Sequence, residues 1–122
     1  MKKIGIITVS DKASLNQRED KSGKLISEIL SKNLNNNIDF KYVIIPDERG
    51  LIKEKLIEFS DKERCHLIIT TGGTGIGERD VTPEATAEII ERTLPGFSEA
   101  MRILTFSKTP TSILSRGIAG TR

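Results

Sequence analysis

The stretch Leu67-Ile68-Ile69-Thr70-Thr71-Gly72-Gly73-Thr74-Gly75-Ile76-Gly77-Glu78-Arg79-Asp80-Val81-Thr82-Pro83 decides the reading of this chain. A short apolar strand runs into a loop of glycine and threonine, then an Arg-Asp pair, then a helix start. Glycines let the backbone approach a ligand closely and adopt positive φ. Successive exposed N–H groups in such a loop make a concavity suited to phosphate. A carboxylate nearby can hold a divalent cation against that phosphate.

Working outward, the same order of elements recurs. Ile4 to Val9 is a nearly continuous apolar run and predicts a buried strand. Ser10-Asp11-Lys12-Ala13-Ser14 follows it, and Ser14 to Lys21 predicts a loop. Ser22 to Leu34 predicts a helix, with Leu25, Ile26, Ile29, Leu30 and Leu34 on one face. The asparagines from Asn33 to Asn37 predict a turn. Phe40 to Ile45 is a second strand, ended by Pro46-Asp47-Glu48, and Leu51 to Phe59 a helix striped by Ile52, Leu56 and Phe59.

Cys65 to Thr70 is the third strand. Thr82-Pro83-Glu84 reads as an N-cap, a first-position proline and a first-turn acid, opening a helix that turns Ala85, Ile89 and Ile90 inward. A further helix from Phe97 to about Ser107 places Phe97, Met101 and Leu104 on one side, and Pro110 to Arg116 closes the ordered-looking chain. This alternation predicts one α/β domain over residues 1–122 with a largely parallel sheet. Ligands bind beyond the carboxyl ends of such strands. All three strands end in polar sequence: Ser10-Asp11, Asp47-Glu48 and Thr71-Gly72-Gly73-Thr74.

Composition narrows the function. A net charge of +2, no basic block and 4% aromatic residues argue against a nucleic-acid partner. One cysteine fits a reducing compartment, and no run approaches the ~20 apolar residues of a membrane span, so the cytoplasm is expected. The glycine loop fails the phosphate-loop pattern, because Glu78 and Arg79 follow Gly77 where Lys and Ser/Thr are required. It fails the dinucleotide fingerprint too, because Glu78 stands at the third glycine. Asp47 and Asp80 remain as candidate metal carboxylates beside the loop. Ser10 and Asp11 read equally as ligand contacts or as a helix cap. Arg79 reads as a solvated loop charge in preference to a phosphate contact, whereas Ser115 and Arg116 offer a hydroxyl and a guanidinium suited to phosphate. Adjacent Cys65 and His66 point to opposite faces of a strand and read as packing residues.

Taken in order, Val9-Ser10-Asp11, Ile45-Pro46-Asp47-Glu48, Thr70 to Gly75, Arg79 to Ala85, Pro95-Gly96-Phe97 with Met101-Arg102, and Pro110-Thr111 through Leu114-Ser115-Arg116 resemble one family along essentially the whole chain. It is the molybdopterin adenylyltransferase family of molybdenum cofactor biosynthesis, related to the gephyrin G domain. The resemblance implies a three-layer αβα sandwich, a homotrimer, and transfer of AMP from ATP to molybdopterin with Mg²⁺ and release of pyrophosphate. A downstream molybdate-insertion enzyme would take the product. Asp47 and Asp80 are then the essential acidic residues. Thr71, Gly72, Gly73, Thr74 and Gly75 hold substrate phosphate, and Ser10 and Asp11 contribute from the first strand. A pterin-binding paralogue without activity and an oligomeric scaffold module are the alternatives. Family members are expected to continue after Ser115-Arg116 with a strand, an Asn-x-Pro-Gly-x-Pro-like segment and a closing helix. A chain without them is expected to expose apolar surface and a sheet edge, and to be less stable and less active.

Overall fold

The computed structural model describes residues 1–35 and 37–122. Strand β1 (Lys2–Val9) is the centre of a three-stranded sheet, flanked by β2 (Ile38–Ile45) and β3 (Leu67–Thr71). Both pairings are parallel, with Ile6 opposite Tyr42 on one side and Ile69 on the other. The carboxyl ends therefore lie together at Val9, Ile45 and Thr71, as the sequence predicts.

Two helical layers cover the sheet. On one face, α3 (Arg49–Ile57) and α4 (Thr82–Ile89) bury Ile52, Leu56, Ala85 and Ile89 against Ile7, Val9 and Ile45. A π-helical turn, Glu58–Lys62, extends α3 and carries Phe59 onto Gly5, which has no side chain to obstruct the ring. Ile7 and Ile52 are fully buried, and each such side chain contributes roughly 1.5–3 kcal/mol relative to exposure. On the other face, α2 (Lys21–Asn33) follows a short helix, α1 (Asp11–Ser14). Its Gly23 comes against Thr8, Asp20 and Tyr42, so the N-terminus of α2 lies close to the sheet. The result is the expected αβα sandwich.

The sequence reading needs correction in three places. First, Thr82 does not cap α4. Val81 is the N-cap residue, Pro83 sits in the second helical position, and the Thr82 hydroxyl donates to the carbonyl of Gly72 at 2.9 Å. Second, the apolar stripe of α2 is only partly covered: Gly23 is its one buried residue, while Leu25, Ile29 and Leu34 are exposed. The same holds for α5 (Pro95–Thr105), whose Phe97, Met101 and Leu104 face solvent and whose buried residue is Ser98. Helical spacing predicts which residues share a face, not what the face meets. Third, β4 (Arg92–Thr93) and β5 (Gly120–Thr121) form an antiparallel ribbon that is too short to show a two-residue period. The predicted asparagine turn is present in part, with Asn35 left-handed at φ 59°; Asn36 lies outside the described residues. Among the described residues no helix is long and apolar enough to cross a membrane.

Candidate functional site

The chain leaves β1 through Ser10, whose hydroxyl accepts from the Ala13 N–H at 3.2 Å and so caps α1. That capping bond fixes the direction of Asp11. Asp11 and Asp47 then bind each other's backbone: the Asp11 N–H donates to Asp47 Oδ2 at 2.9 Å, and the Asp47 N–H donates to Asp11 Oδ1 at 3.0 Å. Arg79 closes a fork on Asp11 through Nε at 2.6 Å and Nη2 at 2.9 Å. This pairing goes beyond the solvated charge expected of Arg79, because the loop after β3 folds back over the end of β1.

The charges respond to these contacts. The Arg79 fork, with help from the Asp47 N–H, holds the Asp11 carboxyl below its ordinary range. Asp47 is pushed the other way, first by burial and then by the negative charges of Asp11 and Asp80, although the Asp11 N–H opposes the rise.

The glycine loop begins with two left-handed residues, Gly72 at φ 95° and Gly73 at φ 69°. A side chain at Gly72 would collide with the Val9 carbonyl, and one at Gly73 with the Thr82 hydroxyl and then Asp47. The loop is tied from outside. The Thr82 N–H donates to the Gly73 carbonyl at 3.1 Å and the Arg116 N–H to the Thr74 carbonyl at 2.8 Å. Among the described residues no hydrogen bond uses the N–H groups of Gly73, Thr74 or Gly75. Their carbonyls are bound and their donors are free, as an anion cradle requires. Asp80 ends the loop, its Oδ2 accepting from the Gly77 N–H at 2.9 Å.

Cavities open on either side of the loop. A cleft of about 760 Å³ is lined by Ser10, Asp20, Asp47, Thr71, Gly73 and Asp80 among others. A smaller one of about 240 Å³ is lined by Thr71, Thr74, Thr86, Ser98, Arg102 and Ser115 among others. Most of the expected site residues thus converge, with Thr71 and Gly72 shared by both cavities. Ser115 lies on the smaller side, its hydroxyl 3.5 Å from that of Thr74. The Arg116 guanidinium is taken up by the protein: Nε binds the Gly75 carbonyl, Nη2 the Asp80 carbonyl, and Nη1 and Nη2 bind Glu84. It braces the loop and the start of α4. Cys65 and His66 stand away from the cleft, His66 Nδ1 accepting from the Lys3 N–H at 3.1 Å.

Sequence reasoning missed three contributors. Asp20 caps α2 through the Gly23 N–H and accepts from the hydroxyls of Thr8 and Tyr42 on the wall of the cleft. Its signal, Asp-Lys-Ser-Gly before an apolar stripe, was there as a helix start. Arg102 Nη1 reaches the carbonyls of Ser115 and Gly117, and Thr82 braces Gly72; only the folded chain brings these pairs together.

Comparison with known proteins gives the chain a family. Residues 5–121 match the family model described as a probable molybdopterin binding domain. The molybdopterin adenylyltransferase of Helicobacter pylori (strain J99) is 50% identical over 119 residues, covering 98% of this chain and 68% of that protein. That of Escherichia coli K12 is 41% identical, covering 95% of this chain and 60% of that protein. The crystal structure of the molybdopterin biosynthesis enzyme MoaB from Thermus thermophilus superposes with a TM-score of 0.89 at 43% identity, over 100% of this chain and 76% of that one. A fold match and a sequence match of this extent have one meaning: the chain belongs to the molybdopterin adenylyltransferase family.

Proposed function

We propose that this chain transfers AMP from ATP to molybdopterin, giving adenylylated molybdopterin and pyrophosphate. The observation that carries the reading is a loop whose Gly73, Thr74 and Gly75 N–H groups are free among the described residues, with Gly73 on the same cleft as two carboxylates, Asp47 and Asp80. The names of the relatives support the same reaction.

The two substrates are both anionic, so their repulsion has to be offset where they meet. Loop N–H groups and the hydroxyls of Thr71 and Thr74 receive the terminal phosphate of molybdopterin. An oxygen of that phosphate attacks the α-phosphorus of ATP, a new P–O bond forms, and the bond to the β-phosphate oxygen breaks as pyrophosphate leaves. The attacking phosphate is already ionised near neutral pH, so no general base is required. The residues fit Mg²⁺. It is commonly held by one or two carboxylates, with substrate phosphates and water completing its shell. Asp47 and Asp80 supply that number, and among the described residues there is no cluster of three or more ligating side chains that would mark a closed metal site. When bound, Mg²⁺ neutralises charge on the phosphates. Asp47 and Asp80 would hold and orient it, Ser10 lines the wall beyond β1, Asp11 holds the Asp47 backbone, and Ser115 and Arg116 set the loop.

The same reading extends to a homotrimer in the cytoplasm and to a molybdate-insertion partner downstream. The exposed apolar side of α5 supports association. The test is incubation with ATP, Mg²⁺ and molybdopterin, followed by chromatography for adenylylated pterin. Product that disappears in Asp80→Asn is the expected result. Pterin binding without product would overturn the catalytic reading in favour of an inactive binding protein, and binding of neither ligand would favour a scaffold.

A further inference from the structure

Four hydrogen bonds join three separate strand ends on one edge of the sheet. Two are exchanged between Asp11 after β1 and Asp47 after β2, and two run from Arg79, in the loop after β3, to Asp11. Arg79 is bonded in sequence to Asp80, whose carboxylate is held by the Gly77 N–H. We propose that Arg79 is a positioning residue: through Asp11 it fixes Asp47 relative to Asp80 across the cleft. The inference rests on the adenylyl-transfer reading, in which those two carboxylates act together.

The chemistry of the pair supports a positional role. Both oxygens of Asp11 are met by the Arg79 fork, a planar match that lysine cannot reproduce. With Nε and Nη2 committed to Asp11, the guanidinium acts on the site through that carboxylate. Without it Asp11 would add an uncompensated charge beside Asp47. The pair is also poorly placed to stabilise the fold, because its side chains are 60% and 38% exposed and exposed ion pairs contribute little. A contact of good geometry and little stabilising value, located between two site carboxylates, is best explained by geometry that the reaction needs.

The test uses the full chain and the variants Arg79→Met, Arg79→Lys, Asp11→Asn and the double variant Arg79→Met/Asp11→Asn. Arg79→Met is expected to lower kcat by about 10- to 100-fold, the loss typical of a small misplacement at a reacting centre. KM for molybdopterin should stay within about threefold, since a purely structural role would move both. The melting temperature should stay near that of the parent, and Arg79→Lys should recover part of the loss. The double variant should be no worse than the worse single variant, because both changes remove one unit. An unchanged kcat in Arg79→Met, or losses that multiply in the double variant, would overturn the proposal. A second measurement stands apart from turnover. Amide hydrogen exchange at Asp47 should quicken by at least about tenfold in Arg79→Met. Should the parent chain make no product, the adenylyl-transfer reading fails, and the clasp is decided by that exchange alone. Unchanged exchange at Asp47 would overturn it whatever the turnover.

Discussion

The carboxyl edge of the sheet and helix α5 use their side chains in opposite ways. At the edge, polar groups from three strand ends satisfy one another, and the Asp11, Arg79 and Arg116 side chains each carry several bonds. On α5 the apolar spacing is clear, yet Phe97, Met101 and Leu104 are 63%, 69% and 77% exposed. A helix as regular as α3 buries its stripe because β1 and α4 lie against it. The lesson is that a period in sequence defines a face, and the neighbouring elements decide whether it becomes core.

The largest test of that contrast is in stability. Phe59→Ala removes a core ring lying over Gly5 and should cost about 3–5 kcal/mol in denaturant unfolding. Met101→Ser on α5 should stay within about 0.5 kcal/mol in the isolated chain. Similar losses at both positions would mean that α5 is part of the core.

The next effect is on turnover. Asp80→Asn should lower adenylyl transfer by about 10²-fold or more, the scale of losing one preorganised electrostatic group. Its melting temperature should hardly move, because the amide oxygen can still accept from the Gly77 N–H. Loss of fold together with loss of turnover would place Asp80 in the framework.

The glycines divide the two regions again. Gly73→Ala meets both a left-handed backbone and the Thr82 hydroxyl, and should cost roughly 1–3 kcal/mol. Gly96, in the first turn of α5, has open space around it, and Gly96→Ala should stabilise by roughly 0.4–1 kcal/mol. Thermal unfolding of the two variants reads both signs.

The smallest effect is in pH dependence. Asp47 has a raised carboxyl in the folded chain, so its stabilising contribution is present below the unfolded value and lost as pH rises through the folded one. Asp11 is lowered by the Arg79 fork, so its contribution is present above the unfolded value and lost as pH falls through the folded one. Asp47→Asn should therefore flatten the decline in Tm on the rising side of the carboxylate range, and Asp11→Asn on the falling side. Scans across the acidic range up to neutrality check both slopes.

Much of the edge was legible in the sequence. Apolar runs ending at Val9 and Ile45 and the strand before Gly72 announced parallel strands, and topology alone brings their polar continuations together. Asp47, Asp80 and the glycine loop followed from that. Arg79, Arg116 and Thr82 were legible as residues but not as braces, because their partners lie 68, 41 and 10 positions away along the chain. Thr-Pro-Glu carries the local signal for a cap at Thr82, and a tertiary bond to Gly72 takes the hydroxyl instead. The exposure of α2 and α5 was not legible, since each stripe was consistent with burial.

The central claim is that this edge carries the α-phosphate of ATP to a pterin phosphate. Reaction with ATP labelled at the α-phosphate, and separately at the γ-phosphate, tests it most directly. The expected result is α-label on the pterin and γ-label in pyrophosphate, in equal amounts. Gamma-label released as inorganic phosphate, with no α-label on the pterin, would contradict it.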